Sequence, residues 1–465
     1  MSRPYVLRVS WRVFLLVACE AALIIEAVVA AAWLRLGDAA WDLMANEHGY
    51  AKAALVALIC QITLYYSDLY DLRIVGDRRE LFVRALQSLG AASLILALLY
   101  YVFPSLVLGR GIFLRAAALV IAIIIGWRLA FVFLASRARP TERLLLVGTG
   151  QGAVTLAQEL HDRRQELGVE IVGFVDDTAP NGGTPIVEPG LVGTIDDISR
   201  IVGEKRVDRV VVSLADARGK LPMDRLLQIK LANGVRFHHL ASVYEEYTGK
   251  IAVENLRPSW LLFSEGFQRS RWVLTVKRAV DVAGAAVGLV VALPLLLLTA
   301  AVVKLSSAGP ALYHQERVGR HGRRFVLYKF RSMRHNAEAE TGAVWARARD
   351  PRVTLVGRFL RRTRLDELPQ LWNVLVGDMS FVGPRPERPG FVQDLTTQIP
   401  FYGQRHVVQP GVTGWAQVRY AYGASIEDAM EKLQYDLFYI KNMSIALDFY
   451  ILLETIKTVL VRRGS

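Results

Sequence analysis

Apolar residues gather into four long runs ahead of residue 136, at roughly 13–35, 53–70, 82–103 and 112–134. Each approaches the ~20 residues that a helix needs to cross the hydrocarbon core of a bilayer, so residues 1–136 are expected to form a bundle of four transmembrane helices. The charge between the runs is uneven. Arg3, Arg8 and Arg12 precede the first; Arg73, Arg78, Arg79 and Arg84 surround the connection between the second and third; Arg137, Arg139 and Arg143 follow the fourth. The loops at 37–50 and 104–111 carry only Arg110 and sparse acidic residues. Basic loops mark the cytoplasmic side, which predicts that the N-terminus and everything from residue 137 onward are cytoplasmic. Burial of the same runs in a soluble bundle is the weaker reading. Glu20 and Glu26 are expected to face other helices or water, with an intramembrane ion path as the lesser alternative. No cleavable signal peptide is expected, because the first run continues past both glutamates to Leu36 without a small-residue cleavage pattern.

A fifth apolar stretch, VAGAAVGLVVALPLLLLTAAVVKL at 282–305, differs from the first four. Arg271, Lys277 and Arg278 stand before it, while Lys304, Arg317, Arg320, Arg323 and Arg324 stand after it. Positive charge on both flanks opposes a simple crossing, and Pro294 near the middle removes a backbone donor and bends a helix. A helix–break–helix hairpin that enters and leaves by one face is therefore expected, although hydropathy by itself suits a span equally well.

Between these membrane segments the pattern changes to short buried strands alternating with helices. RLLLVGTGQGA at 143–153 predicts a strand, a glycine-rich turn and a helix start, in which Gly148, Gly150 and Ala153 match G-x-G-x-x-A. VEIVGFVDD at 169–177 and VDRVVVSLAD at 207–216 supply further strands, giving a Rossmann-like α/β domain over 140–255. Gly148, Gly150 and Gly152 form a candidate nucleotide loop, since such turns leave N–H groups for a phosphate at a helix N-terminus. The other reading is that these glycines only let helix and strand pack closely. No Tyr-x-x-x-Lys arrangement follows, so a structural or regulatory role is preferred to redox chemistry.

Composition narrows the field. The 465 residues are 53% hydrophobic, and 56 Lys and Arg against 43 Asp and Glu leave a net charge of +13. Such a charge admits anionic lipid, phosphorylated substrates or nucleic acid as partners. With two cysteines, Cys19 and Cys60, both inside apolar runs, a disulfide framework or a cysteine zinc site is not expected.

Candidate chemistry lies after residue 310. LDELPQLWNVL at 365–375 predicts a helix start with Thr363 and Asp366 as cap candidates and Pro369 in the first turn. Asp366 and Glu367 would then stand at the positive end of a helix dipole, where Arg361, Arg362, Arg364 and Arg385 could hold phosphate oxygens. Capping with surface salt bridges is the plain alternative for an isolated Asp-Glu pair. It does not account for the proline-framed Pro384-Arg385-Pro386, nor for PGVTGW at 410–415, a turn whose small residues would let a flat ligand approach the backbone. Lys329 and Arg331 of YKFRSM join the phosphate-clamp candidates, against a solvated basic strand as alternative. Asp436 and Asp448 are as readily structural as functional. His314, His321, His335 and His406 show no ligand spacing.

In these motifs the chain resembles the bacterial sugar transferases, monotopic phosphoglycosyl transferases that start exopolysaccharide and O-antigen assembly. The resemblance covers about residues 272–462. K-R-x-x-D at the opening of the hairpin is matched by Lys277, Arg278 and Asp281, and K-F-R-[ST]-M, L-D-E-L-P-Q, G-D-M-S-x-V-G-P-R-P and P-G-[IV]-T-G-W-A-Q-V follow in family order. The four preceding spans and the Rossmann-like domain are similar to the large, WbaP-like form of the family. One departure is Leu293-Pro294 where small members carry Ser-Pro, which leaves open how the bend is accommodated.

The resemblance implies a mixed membrane protein: four spans (1–136), the Rossmann-like domain (140–255), a linker (256–271), a re-entrant hairpin (272–306) and a mainly α monotopic catalytic domain (307–465). It implies transfer of a sugar 1-phosphate from a UDP-sugar to undecaprenyl phosphate in the bacterial inner membrane. Asp366 would attack the phosphorus carrying the sugar, releasing UMP and leaving a phosphosugar–aspartyl intermediate. Glu367 would assist as a base for the lipid phosphate or by placing Mg²⁺, for which Asp366 and Glu367 are the candidate ligands. Lys329, Arg331, Arg361, Arg362, Pro384, Arg385 and Pro386 would bind phosphate, and Gly411, Thr413, Gly414, Trp415 and Gln417 the nucleotide sugar. Inner-membrane lipids are the expected surroundings, a homodimer follows from the large family form, and no nucleic-acid partner is expected. The competing readings are a membrane-anchored NAD(P)-dependent sugar-modifying enzyme and a non-catalytic scaffold for polysaccharide assembly.

Overall fold

The computed structural model describes residues 11–70, 78–137, 142–177, 190–213, 235–253, 270–334, 350–420 and 425–461, with a few isolated positions between them. The side chains of Arg3, Arg8, Arg12, Arg73, Arg78, Arg79, Arg137, Arg139 and His335 lie outside the described set, as does nearly all of the expected linker 256–271. The chain divides into two compact units, residues 6–240 and residues 241–465.

In the first unit, α1 (Trp11–Leu36), α3 (Gly49–Tyr66), α4 (Arg78–Val102) and α5 (Arg110–Arg137) coincide with the four apolar runs, and a short α2 (Ala39–Asn46) joins the first pair. Each of the four long helices holds a segment long and apolar enough to cross a membrane. Small residues on one face, Ala27, Ala31, Ala53, Ala57, Ala92 and Ala116, are buried where these helices meet. Outward positions such as Phe14, Leu94, Leu98 and Leu114 stay exposed, as a lipid-facing surface requires. Glu20 is buried against Arg128 of α5, with Nε to Oε1 at 2.8 Å and Nη2 to Oε2 at 3.0 Å. Tyr70 donates a hydrogen bond to the same carboxylate at 2.8 Å.

The α/β part follows with β1 (Glu142–Val147), α6 (Gln151–Asp162), a one-turn α7 (Arg164–Leu167), β2 (Val169–Val175), β3 (Leu191–Gly193), α8 (Ile198–Glu204), β4 (Arg209–Val212) and β5 (Arg236–His239). The strands form one parallel sheet in the order β3-β2-β1-β4-β5, with Leu146 opposite both Phe174 and Val211. Strands buried on both faces explain the unbroken apolar runs LLLV and VVV.

The second unit begins earlier than expected. α9 (Leu240–Thr248) follows β5 directly, yet residues 241–253 pack within the unit that extends to residue 465. Glu245 binds Lys441 at 2.6 Å and Asn442 at 3.0 Å, and Ile251 N–H donates to Gln434 O at 3.1 Å. By these contacts residues 241–253, within the 140–255 span expected for the α/β domain, pack with the second unit.

The fifth apolar stretch forms one helix, α10 (Arg271–Ser306), with Pro294 inside it. The backbone is helical throughout, where the sequence predicts helix, break and helix. Proline deletes one N–H donor, and a long apolar helix retains the hydrogen bonds on either side. A β-hairpin of β6 (Leu312–Val318) and β7 (Arg324–Phe330) comes next. It is followed by α11 (Leu355–Thr363), a 3₁₀ turn at Leu365–Glu367, α12 (Gln370–Val376), β8 (Ser380–Val382) and α13 (Pro389–Gln398). β9 (Gly411–Thr413) pairs parallel with β8, and α14 (Trp415–Arg419), α15 (Ile426–Asn442) and α16 (Ile445–Val461) complete the unit.

Lys277, Arg278 and Asp281 bracket α10 to this unit. Arg278 donates to the carbonyls of Val374 at 2.7 Å and Leu375 at 2.8 Å, satisfying the C-terminal end of α12. Asp281 accepts from Phe381 N–H at 3.0 Å, and Lys277 bonds Val382 O at 3.0 Å and the Asp448 carboxylate. The motif that opens α10 is thus a clamp on the elements that follow Asp366.

Candidate active site

Asp366 and Glu367 sit on the 3₁₀ turn between α11 and α12 rather than at a capped helix start. Neither Thr363 nor Asp366 caps a helix. Thr363 Oγ1 bonds back to Phe359 O and Leu360 O, while Thr354 caps α11 by accepting from Gly357 N–H at 2.9 Å. Arg364 adopts a left-handed backbone (φ 57°), which turns the chain sharply and delivers the two carboxylates to different surroundings.

Glu367 is enclosed by cations. Its Oε1 accepts from Arg385 Nη2 at 2.8 Å and Lys329 Nζ at 3.1 Å, and Arg364 Nη1 stands 3.7 Å away. Burial acts to raise its pKa, but Lys329, Arg385 and Arg364 together hold the carboxyl well below the usual range. Asp366 behaves oppositely. It is 8% exposed, its Oδ1 is buried without a hydrogen-bond partner, and burial followed by the neighbouring Glu367 charge pushes its pKa up. Lys329, Arg361 and Arg364 pull it back down. Arg361 is held by Nε donating to Ser332 Oγ at 2.8 Å.

Two side chains outside the expected set position this group. Asn373, fully buried on α12, accepts from Tyr328 N–H at 3.1 Å and donates to Val326 O at 2.7 Å. It thereby tethers β7, which carries Lys329, to the helix following Asp366. Arg405, also buried, donates to Arg385 O at 3.0 Å, to Asp436 Oδ2 at 2.8 Å and to Tyr402 Oη at 2.6 Å. An isolated Asn in an apolar run and an Arg outside any motif carry little signal of such roles in the sequence.

Other expected site residues lie elsewhere. Arg331 donates to the carbonyls of Ala308, Val303 and Ser307 and to Ser307 Oγ, so its guanidinium closes the C-terminal end of α10 instead of clamping phosphate. Arg362 is exposed on α11. Pro384 and Pro386 use their carbonyls to accept from Gly411 N–H and Arg317, which fixes the segment that presents Arg385.

The PGVTGW turn is a packing joint. A Cβ at Gly411 would stand 2.1 Å from Gly383 N, and one at Gly414 would stand 2.2 Å from Gly383 O. Both glycines are filled by the backbone beside β8, which corrects the open floor expected for a flat ligand. Thr413 Oγ1 shares a 2.7 Å hydrogen bond with Thr455 Oγ1. Trp415 is buried, donates to Gly249 O at 2.9 Å and stacks on Phe438; Gln417 bonds Val412 O.

In the first unit, Thr149 of the Gly148–Gly152 loop donates from N–H at 2.8 Å and from Oγ1 at 2.6 Å to the Asp176 carboxylate at the end of β2.

Among the described residues, no cluster of three or more His, Cys, Asp or Glu side chains could hold a metal unaided. The unpartnered Asp366 Oδ1 suits a magnesium ion that shares its coordination with substrate phosphates, whereas Glu367 Oε1 is already engaged. Chemically, a buried carboxylate oxygen flanked by converging cations can attack phosphorus while the cations stabilise the charge that develops.

Comparison with known proteins agrees with this class of site. A family model described as bacterial sugar transferase matches residues 272–462, and another described as a CoA-binding domain matches residues 66–233. The chain is 40% identical over 264 residues to the UDP-N-acetylgalactosamine-undecaprenyl-phosphate N-acetylgalactosaminephosphotransferase of Aeromonas hydrophila, covering 57% of this chain and 62% of the relative. It is 34% identical over 335 residues to the undecaprenyl-phosphate glucose phosphotransferase of Komagataeibacter xylinus, covering 70% and 60%. It is 34% identical over 337 residues to the UDP-glucose:undecaprenyl-phosphate glucose-1-phosphate transferase of Escherichia coli (strain K12), covering 70% and 69%. The chain spans about three fifths of the length of the first two of these relatives. It belongs to the bacterial sugar transferase family.

Proposed function

We propose that this protein transfers a sugar 1-phosphate from a UDP-sugar to undecaprenyl phosphate through a phosphosugar–aspartyl intermediate on Asp366, the initiating step of an exopolysaccharide or O-antigen pathway. The observation that carries this reading is the unpartnered, buried Oδ1 of Asp366 among Lys329, Arg361 and Arg364. In the first step an Asp366 oxygen attacks the phosphorus bearing the sugar, an O–P bond forms, and the bond to UMP breaks with its electron pair leaving on UMP. In the second step an oxygen of the lipid phosphate attacks the same phosphorus and the aspartyl O–P bond breaks, restoring the carboxylate. A phosphate monoester has its second pKa near ~6, so the lipid phosphate is largely dianionic at neutral pH and needs no base. That suits Glu367, which its three cations make a poor proton acceptor. Its role is then to hold Lys329 and Arg385 in place before substrate binds. Magnesium, when bound, would be held by Asp366 together with substrate phosphates and would offset the charge of the diphosphate.

The surface supports a half-inserted placement. Gly284 and Ala285 of α10 pack against Phe381 and the cluster around Met379, and Val303 packs with Phe330 and Leu360. Between them Val287, Val290, Val291 and Leu293 face outward. We therefore take α10 as re-entrant, a helix that continues through Pro294 but bends there, with both ends on one domain and the apolar middle in the cytoplasmic leaflet of the inner membrane. Leu355 (81% exposed) and Phe359 (60%) project from α11 alongside exposed Arg358 and Arg362, as an interfacial helix does. The four N-terminal helices would cross the bilayer, leaving the α/β and catalytic parts on the cytoplasmic side, and a homodimer remains the expected assembly.

The test is incubation of detergent-purified protein with UDP-glucose or UDP-N-acetylgalactosamine, the sugars in the relatives' names, without lipid acceptor. UMP should appear in an amount equal to the protein, and mass spectrometry should find a hexose phosphate on Asp366. Asp366→Asn should release none while keeping its fold. An Asp366→Asn protein that still turned over would overturn the reading in favour of chemistry at the glycine-rich loop.

A further inference from the structure

The cations of the site do not wait in open solvent: they converge on one carboxylate oxygen. Arg385 Nη2 and Lys329 Nζ lie 2.8 and 3.1 Å from Glu367 Oε1, with Arg364 Nη1 at 3.7 Å. The side chains of Lys329 and Glu367 are only 19% and 11% exposed, whereas those of Arg385 and Arg364 are 33% and 43% exposed. Water screens the two arginines in part, but with Lys329 held among them the cations still repel one another unless an anion sits at their centre. A carboxylate oxygen with three cationic neighbours has the donor environment of a phosphoryl oxygen. Both groups are tethered so that the geometry persists: Asn373 fixes the strand of Lys329, and Arg405 fixes the backbone of Arg385.

We propose that Glu367 is a built-in stand-in for a substrate phosphoryl group. In the substrate-free protein its carboxylate neutralises Lys329, Arg364 and Arg385, and the diphosphate of an incoming nucleotide takes over those cations and releases it. This rests on the functional reading given above and adds a regulation of the same site. Binding becomes an exchange of one anion for another, which keeps affinity moderate. Departure of UMP is assisted because Glu367 returns to the cations as the product leaves. The carboxylate is useful because it competes.

Titration calorimetry on the full-length protein in detergent, with EDTA present and pyrophosphate and UMP as probes, tests this. Glu367→Gln removes the internal anion with little change of shape, so both probes should bind about tenfold tighter or better, and UMP should dissociate more slowly. Adding Arg385→Gln to that variant should abolish the gain. Unchanged or weaker binding by a folded Glu367→Gln protein would overturn the proposal. Should that variant fail to fold, wild-type protein carrying ¹³C-labelled glutamate decides. Pyrophosphate should then shift an infrared carboxylate band, and an unmoved spectrum counts against the exchange. UMP release from a UDP-sugar by the wild type is measured on the same preparation. Its absence would sink the functional reading, whereas normal release without tighter binding in the variant would sink only the stand-in.

Discussion

Arg405 donates to Asp436 at 2.8 Å with both side chains buried, and the same guanidinium holds the backbone oxygen of Arg385. The pair therefore acts on the anion site through a carbonyl, without touching substrate. Removing one partner leaves the other charge buried and uncompensated. Arg405→Met should destabilise the unit by about 3–5 kcal/mol, and Arg405→Met with Asp436→Leu should recover much of that loss. Activity should stay low in the double variant, because Arg385 has lost its tether. Chemical denaturation read beside UMP release separates the two effects.

The same corner sets a dependence of stability on pH. Burial pushes Asp436 up to about 6 although Arg405 opposes it, and burial with the Arg405 charge brings His406 down to about 4. A carboxyl with a raised folded pKa stabilises the fold fully below its unfolded value and loses that contribution as pH rises through about 6. An imidazole with a lowered pKa does the reverse: its contribution is present above the ordinary histidine value and is lost as pH falls toward about 4. The two oppose each other between those limits. Unfolding temperatures should fall less on acidification in His406→Gln than in wild type, and more in Asp436→Asn. Parallel curves for all three proteins would contradict the assignment.

Catalysis should follow Asp366 instead. Burial and the Glu367 charge raise its pKa, so on the proposed mechanism the nucleophilic carboxylate, and with it the first step, should disappear on the acid side above the ordinary aspartate range. Lys329 pulls that pKa down. Lys329→Met should shift the acid limb of UMP release to higher pH and lower its plateau by about a hundredfold, the usual scale for losing one charge-stabilising donor. A plateau loss with an unmoved limb would mean that Lys329 contacts substrate without influencing Asp366.

The division between what the sequence disclosed and what it hid follows from range. Apolar runs of helix length disclose α1, α3, α4 and α5, and buried strand runs beside a glycine turn disclose the parallel sheet, because both signals are local. Asp366, Glu367, Lys329 and Arg385 were legible as one group, since their motifs are unusual as a set. Strand alternation would put Lys329 and Arg331, two residues apart, on one side, but β7 ends at Phe330; beyond it Arg331 turns to the end of α10 while Lys329 reaches Glu367. Gly411 and Gly414 lie against Gly383, a placement that sequence does not separate from one beside a ligand, because a glycine leaving room for either looks alike. Segment 241–253 adjoins the α/β domain in sequence, and only tertiary contacts such as Glu245 with Lys441 reveal that it packs with the second unit.

The glycine correction is itself testable. A methyl group at Gly414 would meet Gly383 O at 2.2 Å, a contact with rigid backbone that no rotamer relieves. Gly414→Ala should therefore lower stability by about 1–3 kcal/mol or more, with the KM for UDP-sugar unchanged in whatever protein remains folded. Trp415→Phe keeps the stacking surface on Phe438 but loses the bond to Gly249 O, for about 1 kcal/mol. A selective rise in KM at normal stability would return these residues to the ligand.

Glu20 and Arg128 offer the sharpest test of the bundle. An ion pair with Nε 2.8 Å from Oε1 and a hydrogen bond from Nη2 to Oε2 join them across α1 and α5, Tyr70 donates another to the carboxylate, and Arg128 also holds Leu69 O. Both side chains are essentially inaccessible, 0% and 1% exposed. In a low-dielectric bundle a charge so placed is tolerable only with its counterion. Arg128→Met should cost about 3–5 kcal/mol, read as a lower unfolding temperature in detergent. Combining it with Glu20→Gln, whose amide oxygen still accepts from Tyr70, should restore most of that temperature, because no unpaired charge remains. An ion path would behave differently: either single change would alter conductance or proton uptake, and the double variant would not recover it. Recovery of stability in the double variant therefore identifies the pair as a structural lock between the first and last helices of the bundle.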